Sequence, residues 1–385
     1  MSSTKELIDL RHKIHSLAEV SGNEIKTSAT IKEFLQACSP KEIISDLGGY
    51  GLAAIYDSGK AGPRVLIRCE LDALPIPETI EIDYGSASPT ASHKCGHDGH
   101  MAIVAGLAPG LADKPLTKGS VVLLFQPSEE TGKGAYRVLQ DKKFKQLKPD
   151  YVFALHNLPG FPPGEVISRE GFFAAASRGL KIYLKGETSH AAEPEEGKSP
   201  ALAVAQLIQS LSAVPQYYTA LHESSKVTII HAEVGEVAFG TSPGRGQVMA
   251  TLRSYSDDVM NRLVERCIKL AHDTARTYDL DLEIEWDEEF PSTVNDPDSV
   301  KLVEQCAIEL GMQIHRPEYA FPWSEDFGHF TSRYPGALFG LGSGENHPAL
   351  HSPFYNFPDD LIDIGRRLFQ EIIIKVLTRE TRTKK

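Results

Sequence analysis

Residues 121–126, with the sequence VVLLFQ, form an apolar run between Gly119 and Pro127. Because glycine and proline commonly end regular structure, the run predicts a short buried strand. A helical pattern at about 133–140 and another apolar run at 151–155 follow it. A strand, a helix and a second strand in this order favour a parallel pair of strands covered by helices.

The same alternation continues towards both ends of the chain. Patterns typical of helices or strands occur at 5–37 (helical), 51–56 and 64–70 (strands), after His100 (helix), 297–310 (helix), 337–341 (strand) and 359–377 (helix). We therefore predict an α/β catalytic domain with a mixed, mainly parallel sheet and helices on both faces. Ligands of such sheets gather where the strands end.

The middle of the chain has a different pattern. It predicts, in order, a strand at 180–185, a helix at 199–214, strands at 227–232 and 247–253, a helix at 258–278 and a strand at 280–286. The order β-α-β-β-α-β is that of a ferredoxin-like α+β unit. We expect a discontinuous catalytic domain at 1–175 and 287–385, interrupted by an inserted domain at 176–286.

Composition limits the class of protein. The 385 residues exceed the usual size of one hydrophobic core, and 41% hydrophobic with 24% charged residues is ordinary for a globular protein. A net charge of -12 argues against nucleic acid or an anionic membrane as a partner. The five scattered cysteines and the lack of a signal-peptide segment or an apolar run of about 20 residues lead us to expect a cytoplasmic protein.

The sequence CGHDGH at residues 95–100 concentrates four potential metal ligands or proton carriers. Cys95 and His97 are two positions apart and can bind one cation from a loop, while Asp98 or Gly99 opens the following helix. Zinc and similar ions take about four ligands, so other parts of the chain must supply the remainder.

Further candidate ligands follow the predicted strands. Glu129 and Glu130 lie in a turn after 121–126, where one carboxylate can bind metal while the other faces water; a solvated acidic pair is the alternative. His156 directly follows the strand at 151–155, and His351 lies in the loop after the last short strand. Cys95, His97, Glu130, His156 and His351 would be enough for two ions that share a bridging group.

Several motifs together resemble the M20 metallopeptidases, in the amidohydrolase branch that includes hippurate hydrolases, N-acyl-amino-acid deacylases, N-acetyldiaminopimelate deacetylases and auxin-conjugate hydrolases. The motifs are ELDALPI at 70–76, CGHDGH at 95–100, FQPSEE at 125–130, LHN at 155–157, SEDF at 324–327 and LHSP at 350–353. The resemblance covers nearly the whole chain. It implies a metal-dependent amidohydrolase that acts on N-acyl amino acids with divalent ions, two per subunit, chosen from Zn, Mn, Ni and Co.

The resemblance also implies residue roles. Cys95, His97, Glu130, His156 and His351 match the metal ligands, and Glu129 matches the general acid/base. His190 matches a histidine of the inserted lid domain that reaches across a dimer to the substrate carbonyl, which implies a homodimer through that domain. Asp72 matches a motif aspartate and is expected to orient a ligand from behind. We expect Asp98 and His100 either to cap the helix or to support the ligands from behind.

One motif departs from the family. Residues 239–245, FGTSPGR, stand where relatives carry Asn-x-Ile-Pro, whose Asn contacts substrate. Arg245 and Arg253 are candidates to bind a substrate carboxylate instead. The alternatives are a dipeptidase or carboxypeptidase of the same family, a catalytically silent metal-binding dimer, and a hydrolase with Cys95 as nucleophile and His97 or His100 as base.

Overall fold

The computed structural model describes residues 4–378, which form two compact units. The first unit comprises residues 4–173, Thr293–Tyr319 and 326–378. The second unit comprises Ala174–Ser292 and Ala320–Glu325.

The second unit is larger than the inserted domain expected from the sequence, because residues 287–292 and 320–325 belong to it. The last strand of this unit continues to Phe290 instead of ending near 286. The hydroxyl of Tyr255 donates a hydrogen bond to the carbonyl of Ala320 (2.8 Å), which ties the second of these segments to the unit.

The helices and strands, in chain order, are α1 (Thr4–Leu17), α2 (Ile25–Ala37), β1 (Glu42–Leu47), β2 (Gly51–Asp57), β3 (Arg64–Glu70), α3 (His97–Ala105), α4 (Ala108–Asp113), β4 (Ser120–Gln126), α5 (Gly134–Gln140), β5 (Tyr151–Pro159), β6 (Val166–Ile167), β7 (Gly171–Ala174), β8 (Ala176–Lys185), β9 (Ser189–His190), α6 (Ala201–Tyr218), β10 (Ser225–Val234), β11 (Thr241–Ser242), β12 (Arg245–Ser254), α7 (Asp257–Thr277), β13 (Asp281–Phe290), β14 (Thr293–Asn295), α8 (Pro297–Glu309), β15 (Ile314–His315), α9 (Gly328–Thr331), β16 (Gly336–Gly344) and α10 (Leu361–Thr378). Short 3₁₀ helices lie at Lys142–Gln146 and Pro194–Glu196.

An eight-stranded sheet organises the first unit, in the order β1-β2-β4-β3-β5-β16-β6-β15. The neighbours β4, β3, β5 and β16 are parallel, whereas β1, β2 and β4 pair antiparallel, as do β16 and β6. All seven residues of β4 are buried, as its apolar sequence predicts. The prediction of a mixed, mainly parallel sheet is confirmed.

Helices α1, α3 and α10 pack with this sheet into a continuous hydrophobic core. Ile14, Met101 and Ile372 are each fully buried in it. Burial of such a side chain contributes about 1.5–3 kcal/mol, so this core holds the strand ends in fixed positions. Among the described residues, no helix is both long and apolar enough to cross a membrane.

The second unit has a four-stranded antiparallel sheet in the order β10-β12-β8-β13. Helices α6 and α7 bury Leu207 and Leu263 against Leu180 and Val248 of the sheet. The chain order β8-α6-β10-β12-α7-β13 is the ferredoxin-like order predicted from the sequence.

Several local features differ from the sequence predictions. Helix α3 begins at His97 and not after His100. Strand β5 continues to Pro159, so His156 lies inside it, because β16 pairs with β5 as far as Gly344. Strand β1 was not predicted, since as an edge strand it has few buried positions.

Candidate metal centre

The carboxyl ends of β3 and β4 bring several candidate ligands together. These strands are parallel neighbours, and their last residues, Glu70 and Gln126, are paired. Asp72 follows the first strand by two residues, and the turn with Glu129 and Glu130 follows the second. The sequence expectation that ligands gather at these strand ends therefore has a structural basis.

A left-handed glycine sets the entry into α3. Gly96 has φ +92°, and a Cβ there would lie 2.4 Å from the side-chain oxygen of Asn157. Any other residue would be strained and would displace Asn157. The glycine thus allows Cys95 and His97 to flank a sharp turn, with both side chains buried.

His97 has one ring nitrogen committed and one available. Its Nδ1 donates to the backbone carbonyl of Asp72 (2.8 Å), which fixes the tautomer and leaves the lone pair on Nε2. That Nε2 is buried and has no hydrogen-bond partner. Burial lowers the pKa of His97, but the carboxylates of Glu70, Glu130 and Asp72 outweigh it and raise the pKa overall. The surroundings therefore favour a positive charge at this position.

His156 and Cys95 lie beside His97. The Nδ1 of His156 is 2.9 Å from the carbonyl of Asn157, and its Nε2 is 3.5 Å from Cys95 Sγ. Burial, with the rings of His100 and His97 nearby, lowers the pKa of His156 to about 3. The imidazole is neutral at ordinary pH, which is the form that binds metals.

Asp72 fixes the turn that carries the two glutamates. Its carboxylate accepts hydrogen bonds from the backbone N–H groups of Glu129 (3.1 Å) and Glu130 (3.0 Å) and from the hydroxyl of Ser21 (2.6 Å). A carboxylate that holds two successive N–H groups determines where both glutamate side chains start. The expectation that Asp72 acts from behind the ligands is consistent with these contacts.

The two glutamates and His351 complete the cluster. The Nε2 of His97 lies 3.9 Å from Glu129 and 3.8 Å from Glu130, and Nε2 of His351 lies 3.8 Å from Glu130. His351 has φ +64°, and its backbone N–H donates to the carbonyl of Lys94 (2.9 Å), which fixes this loop next to the segment that contains Cys95.

These residues form three overlapping groups whose ligand atoms lie within 4.8 Å of one another: Cys95, His97 and His156; Cys95, Glu130 and His351; and His97, Glu129 and Glu130. Cys95 belongs to the first two groups. A mixture of thiolate, imidazole and carboxylate suits Zn, Mn, Co and Ni, and the orphaned Nε2 of His97 shows that the donor set fits a cation.

Asp98 belongs to none of the candidate metal groups of the described residues, whereas His100 forms one with Glu70 and His97, with ligand atoms within 4.8 Å of one another. Asp98 lies 2.8 Å from Nδ1 of His15 and 3.5 Å from Arg11, and its pKa falls well below the usual value because these cations outweigh its burial. His100 has both nitrogens occupied, by Glu70 (2.7 Å) and by the backbone N–H of Asn157 (3.2 Å). The N-cap position of α3, Gly96, has no side-chain hydrogen bond, and the contacts of Asp98 and His100 are consistent with the expectation that they support the ligands from behind.

A buried charged network behind the cluster was not predicted. Arg68 contacts Glu70, donates to Asp326 (2.6 Å) and to Gln126 (2.9 Å), and all four side chains are buried. The backbone N–H of Asp326 lies 3.4 Å from an oxygen of Glu129. The available signal was Arg68 and Glu70, which lie in strand 64–70 beside the apolar residues 65–67 and 69.

The remaining candidates belong to the second unit. His190 is exposed in β9, which forms a short two-stranded antiparallel sheet with β11, and its Nδ1 accepts from the N–H of Ala192 (3.1 Å). Arg253 donates to the carbonyl of Pro322 (2.9 Å) and to the hydroxyl of Ser324 (3.1 Å). These contacts engage its guanidinium within the unit.

Arg245 is exposed and lines a cleft of about 1070 Å³ in the second unit, together with Lys185, Glu233, Asp281 and Glu283. The cleft walls are of mixed charge. The cleft contains none of the clustered metal-ligand candidates, so its size alone does not identify it as the catalytic site.

Comparison with known proteins finds one matching family and relatives that cover nearly the whole chain. The profile of peptidase family M20/M25/M40 matches residues 66–375. The N-acetylcysteine deacetylase of Bacillus subtilis (strain 168) is 27% identical over 372 residues, which cover 96% of this chain and 97% of that protein.

Solved structures share the fold. The YXEP protein of Bacillus subtilis, a dinuclear metal binding peptidase from the M20 family, has a TM-score of 0.80 at 26% identity and covers 97% of this chain and 98% of its own. The aminobenzoyl-glutamate utilization protein from Klebsiella pneumoniae has a TM-score of 0.77 at 19% identity, with 98% and 97% covered. The second likeness concerns the fold alone.

Proposed function

The chain belongs to peptidase family M20/M25/M40 and is a metallo-amidohydrolase, and we propose that it cleaves N-acyl amino acids to a carboxylate and a free amino acid. The observation that carries the proposal is the buried, unpartnered Nε2 of His97 among thiol, imidazole and carboxylate groups. A deacetylase among the relatives that cover nearly the whole chain supports an N-acyl substrate.

Five residues would hold two divalent ions. Cys95, His97 and His156 form one candidate group, and Cys95, Glu130 and His351 form the other. When bound, the ions acidify water and polarise the acyl oxygen. Asp72 keeps His97 and the glutamate turn in place through the contacts described above.

Glu129 is the general base. It is 5% exposed, and Asp72 accepts hydrogen bonds from its backbone N–H and from that of the proposed ligand Glu130. Its carboxylate lies 3.9 Å from Nε2 of His97. Its carboxylate takes a proton from the attacking water and delivers it to the leaving amine. The low exposure of Glu129 limits competing solvent around the proton that it carries.

Two copies of the chain associate through the second unit, and His190 of one copy donates to the developing oxyanion in the other. The support is a set of exposed apolar side chains on α6, on the edge strand β10 and in the loops that follow these two elements. They are Leu202, Tyr217, Leu221, Ile230, Val237 and Phe239. Arg245 is the better candidate for a substrate carboxylate, since Arg253 is engaged by Pro322 and Ser324.

A small-peptide substrate is the second candidate, because the YXEP protein with the same fold is a peptidase. The cysteine-nucleophile alternative is disfavoured. Burial raises the pKa of the Cys95 thiol well above its usual value, and Glu130 and Glu129 raise it further. A nucleophilic cysteine needs a lowered pKa.

A substrate panel with metal control tests the proposal. The purified protein is assayed on N-acetyl amino acids, hippurate and simple dipeptides after treatment with EDTA and after addition of Zn, Mn, Co or Ni. We expect hydrolysis of N-acyl amino acids that disappears on chelation and returns with metal. Preferred hydrolysis of dipeptides would favour the peptidase, and chelator-resistant activity that iodoacetamide abolishes would favour the thiol enzyme.

A further inference from the structure

Glu24 is a fully buried carboxyl that contacts the turn next to the proposed base. Its Oε1 accepts hydrogen bonds from the backbone N–H of Ser128 (2.8 Å), the hydroxyl of Ser128 (3.2 Å) and the N–H of Gly22 (2.9 Å). Its Oε2 is buried without a hydrogen-bond partner. Glu24 precedes α2, but its side chain does not cap that helix.

The turn that it contacts has an unfavourable backbone conformation. Ser128 has φ +55°, in the left-handed region that costs a non-glycine residue about 1–3 kcal/mol. Such a residue keeps this conformation only when its neighbours impose it. The carboxylates of Glu24 and Asp72 do so together, since they accept the three successive N–H groups of Ser128, Glu129 and Glu130.

We propose that Glu24 is a positioning residue for Glu129, acting through the backbone of Ser128. The role assigned to Glu129 is that of the proposed function, and the inference rests on it. Glu24 touches neither metal ligands nor substrate; it fixes the direction in which the base leaves the turn. A base displaced by about 1 Å loses much of its effect on the rate.

The contacts indicate that Glu24 acts as a hydrogen-bond acceptor. All three donors lie on one oxygen, and a glutamine can present the same carbonyl oxygen to them. Glu24→Gln should therefore keep the turn fixed, whereas Glu24→Ala should release it.

Glu19 provides a matched control. Its Oε2 also accepts three hydrogen bonds, from the N–H groups of Lys26 (2.8 Å) and Thr27 (2.9 Å) and from the Thr27 hydroxyl (3.0 Å). Its side chain holds the start of α2 and not the turn at 127–130. Glu19→Ala thus removes a similar number of contacts from the same region of the chain.

The test combines amide hydrogen exchange, followed by mass spectrometry on peptides that cover 127–131, with steady-state kinetics of the metal-loaded enzyme. For Glu24→Ala we expect at least tenfold faster exchange in this segment and a kcat lower by about 10–100-fold, with KM within about twofold. Glu24→Gln should match the wild type in both measurements, and Glu19→Ala should leave exchange at 127–131 unchanged.

Unchanged exchange in Glu24→Ala, or an equal loss of kcat in Glu19→Ala, would overturn the positioning role. A loss of kcat in Glu24→Gln as large as in the alanine variant would also overturn it, because the acceptor alone would then be insufficient. Exchange needs no substrate. It decides whether Glu24 fixes the turn even if the wild type hydrolyses nothing in the panel, a result that would instead reject the proposed function.

Discussion

The cluster of candidate metal ligands in the first unit and the two-stranded sheet of the second unit that carries His190 differ in how their functional groups are held. His97 is buried with its tautomer fixed, and the two glutamates start from N–H groups held by Asp72. His190 is exposed, and the hydrogen bond to its ring comes from Ala192, two residues away.

This difference separates two kinds of function. Groups that hold a cation must converge in one geometry before the ion binds, and buried supports provide that order. A group that contacts substrate only in the assembled, substrate-bound enzyme needs no such supports in the single chain. Two classes of substitution should therefore differ in effect: those that alter the preorganised cluster, and those at His190, which we propose to act only in the assembled dimer.

The strongest expected effect is at Glu129. Glu129→Gln keeps the shape of the side chain but removes the proton acceptor, so we expect kcat to fall by about 10³-fold. Metal content, measured by mass spectrometry of the desalted protein, should stay at the wild-type level. Glu130→Gln is the adjacent control and should lose metal as well as activity. Substantial turnover by Glu129→Gln would remove the base from the mechanism.

His190→Ala should lower kcat by about 10²-fold, because an oxyanion donor is lost while the metal cluster stays intact. His272→Ala is the matched control, since His272 is another exposed histidine of the second unit and lies on α7, which carries none of the side chains proposed for the dimer surface. If His190 acts on the partner's site, a statistical mixture of the Glu129→Gln and His190→Ala proteins should recover about a quarter of wild-type activity, because half of the dimers contain one intact site. No recovery after subunit exchange would contradict action across the dimer.

The sequence predicts the cluster better than its supports, for a physical reason. Cys95 and His97 are close in sequence, and Glu129 and Glu130 closely follow the predicted strand at 121–126. The contact between Glu24 and Ser128 spans 104 residues, and that between Arg68 and Asp326 spans 258. A local sequence pattern cannot predict contacts between residues so far apart. Only the charged residues in strand 64–70 indicated that Arg68 needs a partner such as Asp326.

The ends of strands and helices are also difficult to predict from local sequence. His156 was expected after a strand but lies inside one, because the pairing partner, β16, extends the ladder to Gly344. A strand's end depends on its neighbour as much as on its own sequence. Likewise, α3 begins at His97 because Gly96 turns the chain there, although the apolar pattern begins only after His100.

The smallest expected effect concerns acid stability, and it tests whether the buried supports of the first unit stabilise the fold. Glu78 lies 2.9 Å from His15 and contacts Lys94, and although burial opposes the shift, these cations lower the pKa of Glu78 to about 2. A carboxyl whose pKa is lowered on folding stabilises the protein above its unfolded value of about 4.5 and loses that contribution as the pH falls towards 2. In urea unfolding of the metal-free protein, Glu78→Gln should therefore have a lower free energy of unfolding than the wild type at pH 6. The difference between the two free energies should be smaller at pH 3. A stability difference that stays constant over this range would show that the ionised carboxylate of Glu78 contributes nothing to the stability of the folded protein.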